Sequence, residues 1–117
     1  MFLAGPLSDL AGENIEGVGL IIYRAQDLEA ARALLYLAAV KVTDGSPDKS
    51  RFSAMAKRLA TDSGSNVVNN ALQLFGGYGY LREYPIERFW RDLRVHSILE
   101  GTNQVMRMIV GREMLRQ

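Results

Sequence analysis

A bundle of four α-helices is the fold that this sequence of 117 residues predicts, and three features predict it. Apolar residues recur at steps of three and four in four separate stretches, the period of a helix face. The joints carry residues that end and restart helices: Asp44-Gly45 before Ser46-Pro47, a glycine-rich run before Pro85, and Gly101 before Thr102. No stretch alternates apolar and polar residues with the period of two that a half-buried strand requires.

Residues 1 to 17 hold Pro6, glycines and acidic residues without sustained periodicity, so they read as an irregular lead-in, and residues 18 to 117 form the bundle domain. The first helix carries Leu28, Ala31, Leu35, Ala38 and Val42 as one apolar stripe, and the segment LEAARALL adds high intrinsic propensity. It should close at Asp44-Gly45, with Ser46 capping the second helix. That helix runs to about Phe75 with Ala56, Leu59, Ala60, Ser63, Val67, Ala71 and Leu74 along one side, and Gly64 weakens it locally.

Residues 76 to 84, GGYGYLREY, read as a loop. Pro85 suits the first turn of a third helix, Ile86 to about Ile98, that turns Phe89, Leu93 and Trp90 toward its neighbours. Thr102 suits the cap of a last helix bearing Val105, Met106, Ile109, Val110 and Leu115. Short connections make the four elements antiparallel neighbours in an up-down bundle.

Composition narrows the chemistry. Fourteen Lys and Arg against thirteen Asp and Glu give a net charge of +1, which offers no general attraction for nucleic acid or anionic lipid. With no cysteine and one histidine, disulfides and thiolate chemistry are excluded and a histidine-built metal site is not expected. The apolar run 18 to 23 is too short to span a bilayer and no basic stretch precedes it, so the cytoplasm is the expected compartment.

Two segments could carry chemistry. The run Phe75-Gly76-Gly77-Tyr78-Gly79-Tyr80 could turn successive N–H groups toward a phosphate, but its spacing and its place after a helix match no nucleotide-binding motif. A helix-ending loop pinned by aromatics explains it as well. Glu100-Gly101-Thr102-Asn103-Gln104 puts a carboxylate just before a helix start, where free N–H groups favour negative charge, so capping alone accounts for it. The same placement suits a general base, because Gly101 keeps the approach open and Ile98 and Leu99 supply apolar walls. His96 has no ligand partner at metal spacing, and Arg88, Arg91, Asp92 and Arg94 read as a solvated helix face.

Taken together, LQLFGGYGYLREYPIERFWRDLRVHSILEGTNQVMRMIVGREML resembles the carboxy-terminal signature of the acyl-CoA dehydrogenase family, and DLEAARALLYLAA resembles the helix that opens that domain. The resemblance covers about Ala25 to Leu115. It implies α,β-dehydrogenation of an acyl-CoA thioester to a trans-2-enoyl-CoA, with FAD receiving the hydride. Glu100 falls on the catalytic glutamate and Gly101 on a substrate-contacting position. Gln73, Leu74, Phe75, Gly76 and Gly77 fall where the family reaches a neighbouring subunit's FAD, and Thr102, Asn103 and Gln104 near the chain's own flavin. The run VHSILEG is similar to enzymes of short branched acyl groups. A homo-oligomer joined through this domain and an electron-transfer flavoprotein as partner are likewise implied. The family's amino-terminal helical and middle β domains have no counterpart here, so the resemblance also implies an excised domain or truncated product. The rival expectation is a non-catalytic helical module kept for oligomerisation or interaction.

Overall fold

The computed structural model describes the backbone of residues 15 to 116 and the side chains of residues 24 to 116. Among them stand four α-helices and no strand: α1 (Ile15–Thr43), α2 (Lys49–Phe75), α3 (Ile86–His96) and α4 (Asn103–Leu115), with a 3-10 helix at Gly76–Tyr80. α2 is the axis of the fold. α1, α3, α4 and the 3-10 segment each pack on it, and among the described elements α1 packs on nothing else. The molecule is accordingly elongated, 50 × 31 × 23 Å. The lead-in lies outside the described residues up to residue 14, and the first helix is already formed at Ile15.

The α1 to α2 joint follows from its glycine. Gly45 takes φ +66°, its N–H bonds the Val42 carbonyl at 3.2 Å, and the Ser46 N–H reaches back to Lys41 O at 2.9 Å. This pair of bonds satisfies the last carbonyls of α1 in the Schellman manner. Asp48 then stands at the cap position of α2 where Ser46 was expected, and its side chain makes no capping bond. Charge takes precedence over capping: Lys41 Nζ donates to both Asp48 oxygens at 2.8 Å, Ser46 Oγ bonds one of them at 2.8 Å, and Arg51 bonds the other at 3.2 Å.

Small residues make the core. The buried apolar side chains are Ala31, Ala38, Ala54, Ala56 and Ile86. On α1 the inward face is Asp27, Ala31, Leu34, Ala38 and Lys41, so the expected stripe is turned by about one residue; Leu28, Leu35 and Val42 face out, with Leu35 55% exposed. Ala31 and Ala38 are the buried residues of that inward face, and their small side chains let α1 lie close to its neighbour.

α2 runs unbroken through Gly64, against which Leu93 packs, both its methyls 3.8 Å from where a β-carbon would stand, an ordinary contact distance. Ile86 is the buried anchor of α3, while Phe89 and Trp90 stay nearly half exposed and Trp90 Nε1 donates to Asn69 Oδ1 at 3.2 Å. On α4, Met106, Ile109 and Val110 turn inward, whereas Val105 and Leu115 are exposed, as is Leu74 on α2.

The segment expected as a loop opens instead as a 3-10 helix, Gly76–Tyr80. Gly79 is its buried contact: a β-carbon there would lie 2.9 Å from the Leu72 carbonyl oxygen. Tyr84 then closes the turn, its ring 5.9 Å from Phe75 and 5.5 Å from Tyr78. α3 ends at His96, short of the expected Ile98, because residues 97 to 100 turn back on themselves.

Candidate functional site

Asn103 N–H donates to Ser97 O at 3.0 Å, so residues 98 to 102 form a closed loop between α3 and α4. Glu100 sits in its middle. Its φ is 55°, the one positive value at a non-glycine residue among those described, and Gly101 follows at 88°. A left-handed backbone costs an L residue with a β-carbon roughly 1 to 2 kcal/mol. Such strain persists only where the surroundings over-determine it, and it gathers at functional sites. Gly101 at φ +88° suits glycine, because any β-carbon there would be strained by the backbone angle, whereas the Met106 Cε that such a carbon would meet at 2.6 Å is the mobile end of a side chain.

The capping explanation for Glu100 is taken by its neighbour. Thr102 Oγ1 accepts the Val105 N–H at 3.3 Å and caps α4. The Glu100 carboxylate is exposed and has no hydrogen-bond or ion-pair partner among the described residues. Ile98 and Leu99 flank it and are each about half exposed, so the chain supplies apolar edges to the carboxylate and not a closed pocket.

Beneath the loop lies a polar cluster that sequence reasoning missed. Asn103 is 5% exposed, and its amide is fully engaged: Nδ2 donates to Thr61 Oγ1 at 2.8 Å and to Asp62 Oδ1 at 2.7 Å, while Oδ1 accepts from Lys57 Nζ at 2.7 Å. Lys57 Nζ also donates to the Gly101 carbonyl at 2.8 Å. One signal could have found it. Asn103 precedes Met106 and Val110 at steps of three and seven, so it lies on the inward stripe of α4, and a polar residue there requires partners.

The remaining expected site residues lie elsewhere. Gln73, Leu74, Phe75, Gly76 and Gly77 are all exposed at the end of α2, and the Gly76 and Gly77 backbones are open, with nothing within 4 Å of where their β-carbons would stand. Eleven residues separate Asp62 from Gln73, about 17 Å at ~1.5 Å per residue. The structure therefore brings Glu100, Gly101, Thr102, Asn103 and Gln104 together and keeps the Gln73 to Gly77 group apart. Gln104 borders an open groove of about 600 Å³ that Asn66, Trp90, Arg94 and Arg107 also line, and Glu100 is not among its lining residues.

These residues fit the margin of a flavin site. Gln104 and the open Gly76-Gly77 backbone can meet a flat partner, Thr102 Oγ1 is engaged in its cap, and the buried Asn103 amide has no donor or acceptor to spare. No enclosure for a ring system is built from this chain's described residues alone.

Residues 21 to 115 match the model of the acyl-CoA dehydrogenase C-terminal domain, and the chain belongs to that family. It is 49% identical over 90 residues to the mitochondrial isobutyryl-CoA dehydrogenase of Dictyostelium discoideum, covering 77% of this chain and 22% of that protein. Among solved structures it is similar to butyryl-CoA dehydrogenase from Megasphaera elsdenii, with a TM-score of 0.78 and 40% identity over 88% of this chain and 27% of that one. A chain from a structure of the electron transferring flavoprotein of Acidaminococcus fermentans gives a TM-score of 0.83 and 40% identity, over 92% and 28%. This chain thus spans about a quarter of the length of the proteins it matches.

Proposed function

We propose that this chain is the catalytic C-terminal domain of a flavin-dependent acyl-CoA dehydrogenase in which Glu100 is the base. The observation that carries the reading is a carboxylate without a partner among the described residues, at a left-handed backbone position in a loop closed by its own hydrogen bond. A base for a weakly acidic carbon must be unpaired, fixed in direction and set against apolar surface. Glu100 meets the first demand, its left-handed backbone sets where the side chain leaves the loop, and Ile98 and Leu99 beside it begin to meet the third.

In this reading a Glu100 carboxylate oxygen takes the α-proton of the acyl thioester. The C–H electron pair becomes the new α,β double bond as hydride leaves the β-carbon. FAD, when bound, supplies the acceptor for that hydride. The Glu100 N–H donates to the thioester carbonyl, whose developing negative charge it stabilises. Gly101, without a side chain, lets the substrate approach. Gln73, Leu74, Phe75, Gly76 and Gly77 face a neighbouring subunit's flavin, and Thr102, Asn103 and Gln104 the chain's own; the separation of about 17 Å along α2 supports two distinct flavins. Asn103 can contribute there only through its backbone.

Relatives named for isobutyryl-CoA and butyryl-CoA support a short acyl group as substrate. The Acidaminococcus structure supports an electron-transfer flavoprotein as partner, and the exposed leucines of α1 support a homo-oligomer. No described helix is long and apolar enough to cross a membrane. The cytoplasm remains the proposed compartment, set against a Dictyostelium relative whose name places it in mitochondria.

The test is a hybrid enzyme in which residues 21 to 115 replace the matching domain of the Megasphaera butyryl-CoA dehydrogenase. Anaerobic mixing with butyryl-CoA should bleach its flavin, and Glu100→Gln should slow the bleaching by about 10² to 10⁴ with flavin content unchanged. Near-normal bleaching in the Glu100→Gln hybrid would remove the assignment and favour the non-catalytic module.

A further inference from the structure

Glu100 and Gly101 adopt consecutive left-handed conformations, and the elements around them must hold that geometry. The Ser97–Asn103 backbone bond closes the loop, and the Ile98 and Leu99 N–H groups bond the Val95 carbonyl, but no backbone bond among the described residues holds the N–H groups of Glu100 and Gly101. One side chain reaches into the loop from outside. Lys57, on α2 and forty-four residues away in sequence, places Nζ 2.8 Å from the Gly101 carbonyl oxygen and 2.7 Å from Asn103 Oδ1.

We infer that Lys57 is the positioning residue for Glu100, clamping the Gly101 carbonyl against the buried Asn103 amide so that the carboxylate keeps one direction. The inference rests on the reading of Glu100 as the base, although the clamp itself is independent of that chemistry. Each partner of the ammonium is fixed in turn. Asn103 is locked by Thr61 and Asp62, and Thr61 Oγ1 also bonds the Lys57 carbonyl at 2.9 Å, so the cluster is anchored to the backbone of α2. Asp62 lies one residue beyond the turn that begins at Lys57; its Oδ1 accepts from the Asn103 amide, and its Oδ2 lies 3.5 Å from Arg58 Nε. A charge-assisted hydrogen bond to the Gly101 carbonyl pins the peptide that joins Gly101 to Thr102, one residue beyond Glu100. Slack in that peptide would let Glu100 and Gly101 relax from their left-handed angles, and the carboxylate and the proposed thioester-binding N–H would shift with them.

Hydrogen exchange in this chain tests the clamp without any catalysis. Lys57→Met keeps the length and apolar stem of the side chain and removes the donors. The Asn103 backbone N–H should then exchange about ten- to a hundredfold faster, the range expected for losing a charged hydrogen bond, while amides of the α1–α2 contact hardly change. Lys57→Arg, which retains donors for both oxygens, should restore most of the protection. Unchanged exchange at Asn103 in Lys57→Met, or an equal rise at every amide of α2, would overturn the clamp.

The hybrid enzyme tests the positioning role. Lys57→Met should slow flavin bleaching at saturating butyryl-CoA by on the order of ten- to a hundredfold, with KM changed far less, because direction of the base and not substrate binding is lost. An equal change in KM with kcat intact would overturn the role. Failure of the Glu100→Gln test alongside faster exchange in Lys57→Met would sink the base assignment and leave the clamp standing, so the two failures are distinguishable.

Discussion

The side-chain amide of Asn103 lies 2.7 Å from Asp62 Oδ1, and this pairing joins the first turn of α4 to the middle of α2. Asn103 is one of two buried polar residues among those described, the other being Ser63. Truncating it to alanine strands Lys57, Thr61 and Asp62 around a small void. Asn103→Ala should destabilise the fold by about 1 to 3 kcal/mol, the range for orphaned polar partners at a covered site. Urea unfolding followed by circular dichroism measures this, and a change under a few tenths of a kcal/mol would mean that water replaces the amide.

Gly79 is constrained by contact and not by its backbone angle. A methyl group there must displace either the Leu72 carbonyl at 2.9 Å or the Leu72 side chain at 3.0 Å. Gly79→Ala should therefore cost about 1 to 3 kcal/mol, the penalty of overpacking. Gly77→Ala, with open space around it, should be nearly silent by the same denaturation measurement.

Asp48 sets a pH dependence. Hydrogen bonds from Lys41, and then from Ser46, hold its carboxyl below the usual carboxylate range. A depressed folded value means that the carboxylate's contribution is present above the unfolded value of about 3.9 and is lost as pH falls through the lower folded value. Wild type should melt higher than Asp48→Asn near neutrality, and the gap should shrink below about pH 4. A gap that persists undiminished in acid would show that the Lys41 interaction does not depend on charge.

The fold was legible wherever local signals act alone. Gly45, Pro85 and Thr102 sit where left-handed angles, a fixed φ and a capping hydroxyl require such residues, and they delimit the helices with little help from tertiary contacts. The inward face of α1 was misread because Leu28, Leu35 and Val42 are as helical in spacing as Asp27, Leu34 and Lys41. Periodicity does not say which of two adjacent stripes meets a neighbour. Glu100 was singled out as a candidate from its motif, but its left-handed backbone and the Lys57 contacts were not. The Lys57 contacts join residues forty-four and forty-six positions apart, and Lys57 reads in sequence as an ordinary solvated lysine.

The outward stripe of α1 predicts association. Leu28, Leu35, Tyr36 and Val40 are between 44% and 68% exposed on one helix, and Leu115 is 90% exposed at the end of α4. Exposed apolar residues in this number on one helix, although interrupted by the Glu29–Arg32 pair, favour association. Sedimentation at micromolar concentration should show dimers or larger species, and Leu35→Glu should shift the population toward monomer. A stable wild-type monomer would count against the proposed homo-oligomer.

The last prediction separates strain from chemistry at Glu100. Both Glu100→Ala and Glu100→Gly remove the carboxylate, together with any favourable interaction it has with the N-terminus of α4, so those losses cancel in the comparison. The two variants differ in the left-handed angle. Alanine retains the penalty of roughly 1 to 2 kcal/mol at φ 55° that glycine escapes. Glycine in turn loses about 0.5 to 1 kcal/mol more chain entropy on folding. The net order is glycine above alanine by roughly 0.5 to 1 kcal/mol, the reverse of the order at an ordinary helical site, where alanine is the more stable. Denaturation of the two variants side by side reads the sign directly. In the hybrid enzyme both should fail to bleach the flavin, because neither can accept the α-proton. If alanine proves as stable as glycine, residue 100 is not held left-handed in solution, and the geometric support for a pre-aimed base goes with it, whatever the activity measurements give.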